Sequence, residues 1–399
     1  MTIEKTDILI SGGGVAGLIA AAAFGAKGFD VICVDPTPPV TNAADKNADL
    51  RTTAFLQPSR QMLIDTGIWP YFEPNAAPLQ VMRIIDAGGK EPQERLRKDF
   101  NATDISDLPF GWNLPNWFLR EKLLERIETL ENVEFLPGIG TKTVLTRSDE
   151  ARVTLSDGTR ISSKLLIAAD GRNSPVREAV GIGSKTIRYG QKALAFSVTH
   201  PRPHDNVSTE IHRSGGPFTL VPLPDQNGAH ASAIVWMERG PEAKRLQSLP
   251  EDAFTHAMNE RSCGILGELT LASRRSIWPI ISQYADRMSA ERVALLAEAA
   301  HVVPPIGAQG LNMSLGDLRA LLKLAENAPS ELGSQKMLTA YHRMRHLEVR
   351  ARVAGIDKLN RASMADGQIW RDLRAGALDA FYSLAPVRKT LMKAGLGTR

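Results

Sequence analysis

The chain has 399 residues, 43% hydrophobic and 23% charged, the balance of a soluble globular protein and a length that calls for two domains rather than one small core. The net charge of +4 and pI near 9.0 are only mildly basic, and no Lys/Arg patch is interleaved with aromatics, which argues against a nucleic-acid partner. Two distant cysteines, Cys33 and Cys263, offer neither a disulfide framework nor a zinc motif, which suits a reducing, cytoplasmic compartment. The opening MTIEKTDILISGGG has too short an apolar run for a signal peptide, and no stretch reaches the length of a membrane span, so a soluble or peripheral protein is expected.

In chain order, DILIS is an apolar strand, GGGVAG a turn, LIAAAAFGAKG a helix with a glycine cap at Gly28, and DVICVD a second β-branched strand. This is a βαβ unit. Gly12, Gly14 and Gly17 hold the spacing Gly-x-Gly-x-x-Gly at the strand-to-helix turn. The first glycine allows the tight turn, the second lets the backbone approach a pyrophosphate, and the third lets helix and strand pack closely. Val15 and Ala16 lie between them at the helix start, where free N–H groups meet phosphate charge. Asp35 ends the second strand at the distance where an acid accepts adenosine ribose hydroxyls. An acid favours an unphosphorylated ribose, so FAD or NAD rather than NADP. The bland alternative is a glycine-rich turn with no ligand.

Residues 36–60 read as a polar loop leading to a helix near SRQMLIDTG, and 116–131 as an amphipathic helix. VEFL, KTVLTR, ARVTLS and TRISSKLLIAADG are short strands, with a turn at Asp157-Gly158. From about 185 to 280 the runs ALAFSVTH, VSTEIHR, FTLVPLP and HASAIVWM predict an inserted antiparallel sheet, with a helix over 250–263.

RVALLAEAAHVVPPIGAQGLNMSLGD, residues 292–317, comes next. RVALL is a buried parallel strand, and ligands of such sheets bind beyond the carboxyl ends of the strands. Glu298 sits at that end, either as a capping or salt-bridging acid or as an acceptor for ligand hydroxyls. Gly307 and Gly310 then lead into a helix with Leu315, Leu318, Leu322 and Ala325 on one face. Its start, near Gly310, Leu311 and Asn312, carries partial positive charge and free N–H groups. Such an end suits a ring that becomes anionic, as a reduced flavin does on its pyrimidine side. The chain stays helical to its end.

These segments together resemble the FAD-dependent aromatic hydroxylases, the single-component flavoprotein monooxygenases. Three motifs carry the resemblance: GGGVAG with Asp35, LLIAADGRNSPVRE at 165–178, and LLAEAAHVVPPIGAQGLNMSLGD. DLRTTAF resembles the segment whose arginine, here Arg51, lies against the flavin, and FLREKLLERI the helix whose arginine, here Arg120, reaches the cofactor. HVVPPIGAQGLN and DLRTTAF are most similar to the ubiquinone-biosynthesis hydroxylases. The implied fold is α/β, with a Rossmann-type FAD-binding domain (1–75, 105–184 and 280–345), an inserted antiparallel-sheet substrate domain (76–104 and 185–279) and a helical C-terminal segment (346–399). The implied chemistry is reduction of FAD by NADH or NADPH, reaction with O2, and hydroxylation of an aromatic ring through a flavin hydroperoxide. The implied substrate is a polyprenyl phenol or quinol. Asp170 would end its strand near the FAD pyrophosphate, and its loop would support transient nicotinamide binding. No second Gly-x-Gly-x-x-Gly is present, as expected of a family without a nicotinamide domain. One departure stands out: Ala297-Glu298 replaces the family's Gly-Asp, whose Asp holds the ribityl hydroxyls, and Glu298 is expected to take over that contact.

No catalytic side chain is assigned. His301 reads as structural, and His200, His204, His212 and His230 mostly as surface or turn residues. His342 and His346 have the spacing of a metal pair, but the intervening Arg343 and Arg345 repel a cation, so no metal is expected. Residues 380–399 read equally as a core-packing helix or as a basic amphipathic segment on the inner face of a membrane. Rival readings are a hydroxylase of a small soluble aromatic, a flavin-bound scaffold of a quinone-biosynthesis complex, and an FAD-linked reductase or halogenase.

Overall fold

The computed structural model describes residues 3–89, 91–364 and 367–396. The first sheet is built on the predicted βαβ unit, β1 (Glu4–Ser11), α1 (Val15–Gly25) and β2 (Val31–Asp35). Helix α1 ends as the sequence suggests. Gly28 takes φ +83° and donates its N–H to Gly25 O at 2.9 Å, while Phe29 N–H reaches Phe24 O at 3.2 Å. The Phe24 and Phe29 rings meet edge to face at 5.8 Å, which completes a glycine-capped helix end.

Between β2 and the rest of that sheet lie β3 (Thr52–Leu56), α2 (Gln57–Asp65), α3 (Trp69–Phe72), β4 (Ala77–Leu79), β5 (Val81–Asp86), β6 (Leu96–Asn101), β7 (Gly111–Pro115) and α4 (Asn116–Glu128). Strands β8 (Val133–Pro137), β9 (Thr141–Thr146), β10 (Ala151–Leu155) and β11 (Arg160–Ala168) follow, then the short helix α5 (Pro175–Ala179). The long β12 (Ser184–His200) opens the second sheet. It continues through β13 (Val207–His212), β14 (Pro217–Gln226), β15 (Ala229–Arg239), α6 (Gly240–Ser248), α7 (Glu251–Arg261), β16 (Thr270–Leu271) and β17 (Ser276–Ala285). The chain returns to the first sheet with β18 (Ser289–Ala290) and β19 (Val293–Leu295), then places β20 (His301–Val302) on the edge of the second. Helices α8 (Gln309–Asn327), α9 (Gln335–Ser363), α10 (Gln368–Ser383) and α11 (Ala385–Leu396) finish it.

Among the described residues the first sheet runs β18-β19-β11-β1-β2-β8, with β10 and β9 extending from β11. Its central strands are parallel and buried on both faces, which is why they read as unbroken apolar runs. The second sheet runs β20-β17-β12-β15-β14-β13-β5-β6 and is mostly antiparallel, with β13 and β5 parallel. One of its faces packs Leu194, Phe196, Ile234 and Trp236 against Phe254 of α7. This is the expected α/β architecture with an antiparallel sheet inserted into a nucleotide-binding fold.

A third sheet, β3-β7-β4, was not anticipated from the sequence, where 36–60 reads as loop and helix. Thr52–Leu56 finds its partner only at Gly111–Pro115, so no local alternation announces it. Asn113 ties this sheet to the second by donating to Pro222 O at 3.0 Å. Helix α8 buries the predicted stripe Leu315, Leu318, Leu322 and Ala325. Cys33 and Cys263 are both free thiols.

Candidate functional site

The register of the first sheet brings four motif residues to one edge. Ser11 lies beside Val34 and Ala168, and Ala168 beside Leu295. Gly12, Asp35, Asp170 and Glu298 therefore all stand at or just beyond the carboxyl ends of neighbouring strands, where open α/β sheets bind ligands.

The three glycines differ in what they do. Gly12 has φ +113°, and a Cβ there would sit 2.3 Å from Ala169 O; at Gly17 it would sit 1.8 Å from Gly12 O. Both are close-packing positions. At Gly14 a Cβ would meet nothing within 4 Å, so this glycine faces open space. Helix α1 has no side-chain cap, which leaves the first-turn N–H groups of Val15, Ala16 and Gly17 for an anion. Asp35 accepts from Gly13 N–H at 2.6 Å and Thr37 N–H at 2.8 Å, one bond to each oxygen. The remaining lone pairs are available to hydroxyls.

Asp170 accepts from Val176 N–H at 3.1 Å through Oδ2, while its Oδ1 is buried with no partner among the described residues. Burial raises its carboxyl above the usual range, against the lowering effect of hydrogen bonds from Ser174 and Val176. An orphaned buried acceptor is costly unless something donates to it, and a cofactor hydroxyl at this edge would do so. Arg177, which sequence reading passed over, locks the surrounding turns. Its buried guanidinium donates to Arg172 O and to Ala299 O, both at 2.9 Å, joining the Asp170 loop to the Glu298 turn.

Glu298 lies in a tight turn over Ala297–Ala299 and is exposed, with no hydrogen bond within the described chain. Ala297 has φ +56°. The family's usual glycine adopts this left-handed conformation freely, whereas alanine pays about 1 kcal/mol there. The departure thus keeps the turn at a small cost in strain and changes the acid's reach by one methylene.

Arg51 and Arg120 meet at a residue the sequence did not single out, Asp49. Arg51 chelates it through Nε at 2.8 Å and Nη2 at 2.7 Å, Asn116 Nδ2 donates to it at 2.9 Å, and Arg120 Nη2 lies 3.9 Å away. Burial alone would raise the Asp49 carboxyl. The bonds and charge of Arg51, then those of Asn116 and Arg120, outweigh it and hold the group at about 2. Arg51 also lies 5.6 Å from the Trp278 ring and feels the charge of Glu298. It therefore lies against the second sheet at Trp278.

Helix α8 begins after Gly307 (φ +62°) and Ala308 (φ +56°), again with no side-chain cap. The N–H groups of Gln309, Gly310 and Leu311 belong to its open first turn. The side chain of Asn312 has a structural task. It donates to Ala54 O at 2.7 Å and Ala308 O at 2.6 Å and accepts from Leu56 N–H at 2.9 Å. That pins the helix start to β3 and leaves the Asn312 backbone as its contribution to a ligand.

The histidines stand apart from this edge. His301 is buried and bonded through Nε2 to Asp317 at 2.6 Å, and Asp317 also takes Arg345 Nε at 2.6 Å. His342 and His346 stack at 4.6 Å with titration lowered by burial, and the described residues hold no metal-ligand cluster. His200 bonds Arg202 O and Ser232, His204 bonds Leu223 O, His212 pairs with Glu210, and His230 with Asp225.

The edge so built combines a glycine turn onto the uncapped helix α1, the acids Asp35 and Asp170 with acceptor oxygens to spare, and the exposed Glu298, with a second uncapped helix, α8, in the same part of the chain. Similarity to known proteins places the chain among FAD-dependent monooxygenases. The chain belongs to the family whose model is described as FAD binding domain, which matches residues 5–355. Among curated relatives it is 29% identical over 401 residues to ubiquinone hydroxylase UbiL of Rhodospirillum rubrum, covering 99% of this chain and 90% of that one. It is 26% identical to the mitochondrial ubiquinone biosynthesis monooxygenase COQ6 of Homo sapiens, covering 97% and 91%. Among solved structures, p-nitrophenol 4-monooxygenase PnpA from Pseudomonas putida shares the fold, with a TM-score of 0.79 at 18% identity over 100% of both chains.

Proposed function

We propose that this protein hydroxylates the aromatic ring of a polyprenylated ubiquinone precursor, using FAD, NADH or NADPH, and O2. The observation that carries the reading is the convergence of the Asp170 orphan oxygen, exposed Glu298 and the open start of α8 on one sheet edge, the donor and acceptor set a flavin dinucleotide needs. Relatives named as ubiquinone hydroxylases and matched over nearly the whole chain support the substrate class.

In this reading the first turn of α1 holds the diphosphate, Asp35 the adenosine ribose, and Asp170 a hydroxyl or ordered water beside the diphosphate. Glu298 accepts from the ribityl chain. The first turn of α8 faces the pyrimidine edge and favours negative charge there. Arg51, fixed by Asp49, closes the edge on the side of Trp278. FAD, when bound, supplies electron transfer from the nicotinamide and activation of O2. The chain's own task is to bind, orient and exclude water. His301 is committed to Asp317 and is not a free base. Peripheral contact with the inner face of a membrane, and membership of a quinone-biosynthesis complex, belong to the same reading, because a polyprenyl tail resides in lipid.

Two measurements test it. Cells lacking the protein should accumulate a ring-unhydroxylated quinone precursor, and an unchanged quinone profile rejects the pathway. Purified Glu298→Ala should lose FAD, by roughly tenfold in affinity for one charge-assisted hydrogen bond; unaltered occupancy and affinity would remove Glu298 from the site. NAD(P)H oxidation that rises on adding the precursor separates an enzyme from a scaffold.

A further inference from the structure

Helix α10 is built with its polarity reversed. Its polar side chains turn toward the protein: Asp372 accepts from Arg95 at 2.8 Å, Asp379 pairs with Lys98 at 2.5 Å, Arg374 reaches Asp86 at 3.1 Å, and Tyr382 Oη donates to Asp99 O at 3.0 Å. These contacts strap the helix to β5 and β6, the edge of the second sheet. Its large apolar side chains turn the other way. Ile369, Trp370, Leu373, Phe381 and Leu384, with Leu391 of α11, are 52–76% exposed. Ile369, Trp370, Leu373 and Phe381 fall at spacings of one, three, four, eight, eleven and twelve, which puts them on one face of α10, and Leu384 follows at its C-terminal cap. A helix of 16 residues carries such a stripe for about 24 Å. Scattered exposed apolar residues need no explanation, but a continuous stripe on the outside of an ion-paired helix does.

Charge identifies what covers it. Within 367–396 the only acids are Asp372 and Asp379, both held by cations of the second sheet. Lys389 and Lys393 lie exposed on the adjoining α11. Among the described residues the outward surface of α10 is thus apolar, with exposed lysines on the adjoining helix and no carboxylate without a cation partner. Two copies meeting through this face would bring like charges together, whereas an anionic bilayer surface complements it. An in-plane helix with an apolar face, an interfacial tryptophan and flanking lysines fits such a surface.

We propose that the outer face of α10, extended by Leu391, Lys389 and Lys393 of α11, is the docking surface of this protein on an anionic lipid bilayer. The inference deepens the membrane contact proposed above and rests on that reading. The face takes in part of the basic segment 380–399 and extends it back along α10; residues 397–399 lie outside the described chain, and α11 is anchored. Met392 and Leu396 are buried against Leu56, Ala102 and Phe110, and Gln309 donates to Gly395 O at 2.9 Å. Helix α11 therefore connects the docking face to β3, whose Leu56 is bonded to Asn312 at the start of α8.

The test uses the FAD-loaded full chain and phosphatidylcholine vesicles with and without phosphatidylglycerol, with no substrate. The wild type should co-float with the phosphatidylglycerol vesicles, and Trp370 fluorescence should be quenched by brominated acyl chains. The double variant Leu373→Glu/Phe381→Glu should partition at least roughly tenfold less, with unchanged FAD content and thermal midpoint because both residues are exposed. Lys389→Glu/Lys393→Glu should lose only the preference for phosphatidylglycerol. Flotation of the double variant equal to wild type, or no flotation of the wild type, overturns the proposal. A wild-type dimer by light scattering that the double variant dissociates also overturns it, because the face would then be an interface between copies. The quinone profile is read independently, so docking can stand if the hydroxylase reading fails, and the reverse.

Discussion

Replacing Asp49 with asparagine keeps the shape of the residue and removes its charge. In the native fold this carboxylate receives Arg51 in a two-pronged contact, Asn116, and the field of Arg120. Its titration falls from an ordinary 3.8 to about 2. A depressed folded-state value means stability that is present above the unfolded-state value and lost as pH falls through the folded one. The interval corresponds to about 2.5 kcal/mol at pH 7, shrinking to about 1.3 kcal/mol at pH 3. Urea unfolding of the apoprotein should therefore show Asp49→Asn less stable than wild type by about 2 kcal/mol at pH 7 and by about half that at pH 3. FAD titration should show weaker binding for the variant, because Arg51 loses its fixed orientation over Trp278. In an Arg51→Met background, Asp49→Asn should have much less effect on FAD affinity. A loss below about 0.5 kcal/mol at pH 7, or one that does not narrow on acidification, would refute the clamp.

Three further outcomes follow from other contacts. Asp317→Ala leaves Arg345 without its buried partner and His301 without its bond, and should cost roughly 3 kcal/mol in chemical denaturation; a cost within 1 kcal/mol contradicts the network. Burial pushes the Glu238 carboxyl up to about 7, against the pull of Arg261, so wild-type stability should decline between about pH 4.5 and 7 by up to roughly 3 kcal/mol as folding keeps a proton that the unfolded chain releases. Glu238→Gln should lack that decline, and parallel pH profiles would count against it. Gly17→Ala drives a Cβ to 1.8 Å from Gly12 O and should yield folded-domain fluorescence with little bound FAD, whereas normal FAD content would show that helix and strand can separate there.

The first glycine turn, Asp35, the DG segment and the 292–317 stretch were all readable in one dimension. Each is a local device: a strand end, a turn that needs glycine, a helix start. Each offers backbone N–H groups or a single acid, which sequence displays directly. The stripe of α8 and the glycine cap of α1 were legible for the same reason, since periodicity and a left-handed cap are properties of neighbouring residues.

What the chain could not show in one dimension was assembled from distant parts. Asp49 became visible only when α4 brought Asn116 and Arg120 to it, and Arg177 only when the Asp170 loop folded against Ala299. That the Asn312 side chain holds β3 was not legible, because that strand forms only through pairing with residues far along the chain. The tail read as basic and amphipathic, yet which helix would face outward depended on where cations of the second sheet waited for Asp372 and Asp379. Sequence by itself determined the motifs, and hence the kind of cofactor edge, because those signals are local. Tertiary structure alone decided the charge clamp around Arg51 and the exposed face of α10, because an ion pair or a solvent-facing surface exists only once separate segments have met.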